Sequence, residues 1–196
     1  MERQTVEITA EQIKELRART GAGIVDCRNA LAQAGGDVNT AVEILKAKGL
    51  ATARKKAGRT AGQGLVEAYI HTGGKVGAMV EVNCETDFVA RTDEFRRLCR
   101  DLAMQVTASA PRYVSRDEVP AEAIEEQRRL LAAGLAGKPA AAVEGALDRW
   151  FQEVVLLEQP FIRDEGKTIR DLLTEAVSRI GENIQIRRFA RFKIGE

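Results

Sequence analysis

Apolar positions recur at helical spacing through the first fifty residues and predict three short helices. Thr9, with Gln12 three residues on, is a capping-box signature, and Ile8 and Ile13 occupy the flanking positions of a hydrophobic staple. Ile13 and Leu16 follow on one face, and Thr20-Gly21-Ala22-Gly23 ends the helix. Ile24, Cys27, Leu31 and Ala34 mark a second helix, stopped by Gly35-Gly36. Asp37 caps a third, with Val38, Ala41, Val42 and Leu45 on its inner stripe and Gly49 at its end. Residues 51–64 are rich in alanine, glycine, lysine and arginine and include Arg54-Lys55-Lys56. They carry too few large apolar side chains for a core, so they read as a partly helical basic linker.

From Leu65 the period changes. Val66, Ala68 and Ile70 alternate with Glu67 and Tyr69, Gly73-Gly74 makes a turn, and Val76 to Cys84 resumes the alternation, which predicts a hairpin. Phe95, Leu98, Cys99, Leu102 and Val106 then repeat at three and four, the pattern of an amphipathic helix. Pro111 and Pro120 punctuate the chain beyond this helix, and helical patterns resume over 121–133, 139–154 and 168–180. Ile184, Ile186, Phe189 and Phe192 alternate imperfectly with Arg187, Arg188, Arg191 and Lys193 in a final strand. Strands at both ends of a helical stretch predict an α+β fold. The expected organisation is a three-helix module at 1–50, the linker at 51–64, and at 65–196 a small antiparallel sheet covered by helices.

Composition narrows the class. A chain of 196 residues with 44% hydrophobic positions is not intrinsically disordered. No apolar run approaches the roughly 20 residues of a membrane helix, and the N-terminus lacks the basic-then-apolar order of a signal peptide, so a cytoplasmic protein is expected. Cys27, Cys84 and Cys99 are irregularly spaced and His71 is the one histidine, which predicts reduced thiols rather than a disulfide scaffold or zinc knuckle. Gly166-Lys167-Thr168 resembles the tail of a phosphate-binding loop, but Phe161 stands where that pattern needs its first glycine. Thr168 reads instead as a helix cap. His71 has no nucleophile or carboxylate beside it in sequence to orient it. Nothing here predicts an enzyme, a metal site or a cofactor. The basic stretches at 54–56 and 187–193 fit phosphate-backbone contacts, the basis of an alternative reading as an RNA-binding protein. The nearly balanced charge, 30 basic against 29 acidic residues, favours a solvated linker and strand face.

Two places fit neither core nor ordinary surface. Ile24 and Val25 are adjacent at a helix start, so one of them must point away from the inner stripe; with Lys14 and Arg17 nearby it would form a docking surface. The second place is Asn83 to Arg91. On an unbroken helix Phe88, seven residues before Phe95, extends the buried stripe. Thr92-Asp93-Glu94, however, is a second helix-start signal, and a helix beginning there leaves Thr86 to Val89 as a separate protruding turn. Pattern alone leaves both readings open.

Three motifs carry a family resemblance over essentially the whole chain. Within Leu16 to Leu31, Thr20-Gly21-Ala22-Gly23 precedes Asp26-Cys27; Val82-Asn83-Cys84-Glu85-Thr86-Asp87-Phe88-Val89-Ala90 comes after the hairpin; and Gly181-Glu182-Asn183-Ile184 precedes Arg187-Arg188-Phe189. Together they resemble the bacterial elongation factor Ts family. The resemblance implies a nucleotide-exchange factor for the translational GTPase elongation factor Tu, acting without catalytic residues or a cofactor of its own. It implies a ubiquitin-associated-like bundle that docks through the positions of Lys14, Arg17, Ile24 and Val25, where family members often carry two methionines in place of Ile24-Val25. It also implies that Thr86, Asp87, Phe88 and Val89 form the segment that dislodges the GTPase's magnesium ion, with Phe88 as the wedge, and so favours the protruding turn. Longer family members duplicate the core, whereas this chain has one sheet-bearing unit. Short forms dimerise, which implies a homodimer in a two-plus-two complex, with the edge of the final strand and Phe189 and Phe192 as interface elements. Neither a membrane nor a direct nucleic-acid partner is expected.

Overall fold

The structure, a computed structural model of the single chain, describes residues 7–196. It divides into two compact units: the described chain through Ala61 with Leu173–Ile184, and Gly62–Leu172 with Gln185–Glu196.

In the first unit, α1 (Ala10–Thr20) opens on the expected capping box, Thr9 and Gln12 each bonding the other's backbone, and ends at Gly21 in the left-handed conformation at φ +66°. Next come α2 (Ile24–Gln33) and α3 (Val38–Lys56), the latter capped by Asp37, whose Oδ1 accepts from the Thr40 amide at 2.7 Å. Leu16, Cys27, Ala30, Leu31 and Ala41 form the buried centre, with Ile8, Ile13, Val38 and Leu45 packed around it. The third helix does not stop at Gly49. It runs seven residues further because Gly49 is buried in its interior, where Ser178 and Thr174 of α8 (Ile169–Ile180) lie close. The end of α3 is tied to the same segment. Lys56 Nζ donates to the Gly181 carbonyl, and the buried Asn183 Nδ2 donates to the Arg59 carbonyl at 2.7 Å.

The second unit holds an antiparallel sheet in the order β1-β2-β5, from β1 (Gln63–Ile70), β2 (Val76–Cys84) and β5 (Gln185–Lys193). Gly64 is required at the start of β1: its φ is +149°, and a Cβ there would stand 2.1 Å from the Val82 carbonyl oxygen. A four-residue helix, α4 (Asp87–Ala90), links β2 to the long α5 (Asp93–Ser109). Ala78, Val80, Val82 and Cys84 on β2 and Phe95, Leu98, Cys99, Leu102 and Val106 on α5 are buried between sheet and helix. Two further helices, α6 (Ala121–Gly134) and α7 (Ala140–Val154), close a smaller core around Val119, Leu147, Phe151, Val154 and Val155. Arg116 ties it down, bonding Glu158 and Asp148 and lying 4.2 Å over the Phe151 ring.

Two features of this unit differ from the sequence expectation. A short hairpin of β3 (Pro160–Phe161) and β4 (Asp164–Thr168) lies between α7 and α8. Its anchor is a buried amide, Gln105, whose Nε2 donates to the Gln159 side chain and whose Oε1 accepts from the Ile162 amide at 2.9 Å. The faces of β1 are also the reverse of what its alternation suggests. Glu67 and Tyr69 pair with the inward Val80 and Ala78, whereas Val66, Ala68 and Ile70 pair with Glu81, Met79 and Gly77 on the outer face. Arg100 of α5 secures the inward polar positions, 3.6 Å from Glu67 and 5.7 Å from the Tyr69 ring centroid.

Candidate functional site

The sequence-predicted site residues fall on two surfaces, one in each unit. In the first unit, the buried stripe of α2 begins at Cys27, one turn after the helix starts. Side chains on a helix lean toward its N-terminus, so those of the first turn project past the bundle. Both Ile24 and Val25 are therefore exposed, at 57% and 70%, where the sequence required only one. Ile24 borders an open groove of about 540 Å³ whose walls include Ile13, Lys14, Arg17 and Gly21. The groove is an apolar floor with two cationic side chains on its α1 side. Gly21 is held in place by its positive φ and by Arg179, whose Nη1 would stand 2.9 Å from any Cβ there. Beneath it the Cys27 thiol is buried; burial raises its pKa, against the opposing Thr20 hydrogen bond and Arg17 charge.

In the second unit the chain leaves β2 at Cys84 and turns at once into α4. Thr86 caps that helix, its Oγ1 accepting from the Val89 amide at 3.4 Å. Thr92 caps the next, accepting from the Phe95 amide at 3.2 Å, and its hydroxyl donates to the Val89 carbonyl at 2.8 Å. Two caps six residues apart mean two helices, so Phe88 and Phe95 do not share a stripe. Phe95 is fully buried and Phe88 is 79% exposed. Beside Phe88, Asp87 accepts from Arg91 Nη2 at 2.7 Å, while Ala90 on the opposite side is buried. The turn is thus an aromatic side chain and a carboxylate held out from a short buttressed helix.

A third surface was anticipated only at Phe192. The outer face of the sheet carries Val66, Ile70, Met79 and Phe192, exposed by 66%, 70%, 47% and 69%. The register brings Ile70, Gly77 and Phe192 into one cross-strand row and Ala68, Met79 and Ala190 into the next. Phe189, expected beside Phe192, pairs with the buried Val80 and belongs to the inner face. For Val66 and Ile70 the apolar alternation on β1 suggests the opposite face, and Met79 carries no signal of its own.

The basic positions of β5 are largely engaged within the chain. Arg188 Nε donates to Glu81 at 2.7 Å, Arg191 to the Thr107 carbonyl and to Glu196, and Lys193 to Glu196 at 3.1 Å. His71 sits beside Tyr69, ring nitrogen to phenol oxygen 3.2 Å. Among the described residues no cluster of three histidine, cysteine or acidic side chains is placed to hold a metal ion, and no helix is long and apolar enough to cross a membrane.

Fold and surfaces define a class: an α+β protein with exposed apolar residues at the starts of α2 and α4 and on one sheet face. Comparison with known sequences gives the family. The family model described as elongation factor TS matches residues 50–196. Elongation factor Ts of Carboxydothermus hydrogenoformans is 57% identical over 96% of this chain and 90% of its own length. The protein of the same name from Caldanaerobacter subterraneus subsp. tengcongensis is 55% identical over 96% and 98%, and that of Heliobacterium modesticaldum 54% over 96% and 91%. The chain belongs to the elongation factor Ts family, and its role is that of a translation elongation factor.

Proposed function

We propose that this elongation factor is a guanine-nucleotide exchange factor that binds elongation factor Tu, displaces its magnesium ion and so promotes GDP release. The observation that carries the reading is Phe88, an aromatic side chain 79% exposed at the tip of a separate helix beside Asp87. An apolar ring held in water on a buttressed turn has an unfavourable hydration that only a partner relieves. The groove bordered by Lys14, Arg17 and Ile24, with Val25 beside it, supplies the docking contacts on the first unit. Thr86, Asp87, Phe88 and Val89 form the intruding segment on the second.

The mechanism needs no covalent chemistry on the nucleotide, and the chain acts as no enzyme. A GTPase grips its nucleotide through the cation and the phosphate-loop donors, so a wedge that shifts either weakens the grip. Docking energy from the two surfaces stabilises the distorted, nucleotide-poor state. By linkage, nucleotide weakens factor binding by the same ratio, so incoming GTP expels the factor. The exchange equilibrium is untouched and only its rate rises.

The chain works as a homodimer in a two-plus-two complex with the GTPase, through the outer sheet face that carries Ile70, Met79 and Phe192. The internal pairing of Arg188, Arg191 and Lys193 weighs against RNA binding by the final strand. The test is release of a fluorescent GDP analogue from purified elongation factor Tu with this chain added at rising concentration. Concentration-dependent acceleration is expected. No acceleration with the cognate GTPase overturns the reading, and RNA affinity that falls steeply with salt would replace it.

A further inference from the structure

The Phe88 turn is too short to hold itself. Four helical residues lie far below the length at which a helix is stable in water. Its exposed ion pair, Asp87 with Arg91, has side chains 46% and 74% exposed and contributes little in that setting. The Thr86 cap to the Val89 amide is long, at 3.4 Å. Besides the buried Ala90 and the Thr92 hydroxyl on the Val89 carbonyl, the turn is held at the Thr86 carbonyl. It accepts the first helical bond, from the Ala90 amide at 3.3 Å, and a second bond at 3.1 Å from the thiol of Cys84, the fully buried last residue of β2.

We infer that Cys84 is a positioning residue for the Phe88 wedge: its buried thiol latches the Thr86 carbonyl and fixes the angle at which α4 leaves the sheet. Thiols are weak donors, yet this bond starts from a fully buried residue and joins a strand to the carbonyl that accepts the first helical bond of α4. Cys84 faces the α5 layer that contains Cys99, whose thiol feels it, so the latch stands on the packed core and not on the surface. The inference rests on the exchange reading for its effect on rate, and on geometry alone for its effect on the turn.

Three full-chain variants separate these. Cys84→Ala removes the latch, Cys84→Ser keeps a donor, and Cys99→Ala removes a thiol from the same layer without removing the latch. Amide hydrogen exchange by NMR at Val89 and Ala90, with no GTPase present, is expected to quicken about fivefold in Cys84→Ala, the factor of one neutral hydrogen bond. Cys84→Ser recovers most of this and Cys99→Ala shows none. With elongation factor Tu, the maximal stimulated GDP release falls by a similar factor in Cys84→Ala while the half-saturating concentration stays within about twofold, because the groove of the first unit is unaltered. Equal loosening in Cys84→Ala and Cys99→Ala, or none in either, overturns the latch. Loosening in Cys84→Ala with undiminished release, when Phe88→Ala does slow release, overturns its role in positioning the wedge. No stimulation by the unmodified chain overturns the exchange reading and with it the rate effect, and the NMR comparison still decides the latch.

Discussion

Phe88 and Phe95 stand seven residues apart, the spacing of one helix face, yet one is 79% exposed and the other fully buried. The difference is made by two threonines: Thr86 and Thr92 each cap a helix, and the break between them rotates Phe88 out of the stripe. Phe88→Ala therefore leaves stability within about 0.5 kcal/mol, as for an ordinary surface substitution. It is expected to slow stimulated GDP release from elongation factor Tu at least tenfold with binding largely kept. A loss of binding in proportion to rate would make Phe88 a docking residue and not a wedge. A second prediction concerns Cys99. Burial, with Glu67 and Cys84 adding to it, pushes this thiol up to about 12 from its ordinary 9.0. The folded chain thus holds a proton that the unfolded chain releases, so the contribution is complete below pH 9 and is lost as pH rises toward 12. Between pH 8 and 10 the loss is on the order of 1 kcal/mol. Urea unfolding at the two pH values should show a fall in stability that is smaller by that amount in Cys99→Ala. An unchanged fall would place the titration elsewhere.

At the scale of elements, Gly49 is the informative residue. As a helix terminator it would need a left-handed backbone, but it lies inside α3 with no positive φ. A Cβ there would meet Ser178 and Thr174 at 3.7–3.8 Å, ordinary contact distance. Gly49→Ala is thus free to restrict the unfolded chain without a clash, and a gain of about 0.5–1 kcal/mol in urea unfolding is expected. A loss would mean that α3 and α8 pack more tightly at this point than these distances allow. What the sequence made legible, and what it hid, divides along the same line. Caps are local chemistry, so Thr9, Asp37 and Thr92 announced their helices, and the period-two and period-four stripes located β2 and α5. The end of α3, the anchor of the β3–β4 hairpin at Gln105 and the outward turn of Val66 and Ile70 depend on partners far along the chain. A single glycine or a single glutamine carries no local trace of them, and the alternation on β1 suggests the opposite face. The Phe88 turn was half legible: Thr92 offered a second helix start, but only the capping geometry at Thr86 separates the turn from the stripe.

For the whole molecule, the outer sheet face is where the proposed assembly is tested. An edge strand whose apolar side is turned outward, with polar Glu67 and Tyr69 inward, runs against the usual logic of a half-buried sheet. It is explained if a second layer covers that face. A second copy fits by symmetry: a two-fold axis over the middle of β2 would lay the row of Ile70 and Phe192 and the row of Met79 against their own equivalents, an isologous contact of two sheets. Val66, Ile70, Met79 and Phe192 from two copies, at about 1–2 kcal/mol each for the part still exposed, give on the order of 8–16 kcal/mol. Association costs on the order of 4–15 kcal/mol, the same range, so a dimer needs the whole patch and losing half of it tips the balance toward the single chain. Gel filtration with light scattering at such concentrations is therefore expected to give twice the 21.5 kDa chain mass. Ile70→Lys with Phe192→Lys, both on the solvent side, is expected to give the single-chain mass with its circular dichroism unchanged, since neither side chain touches the α5 layer. A single-chain mass for the unmodified protein would leave the face uncovered by its own copy and overturn the two-plus-two assembly. A dimer that survives both lysines would move the contact to another surface.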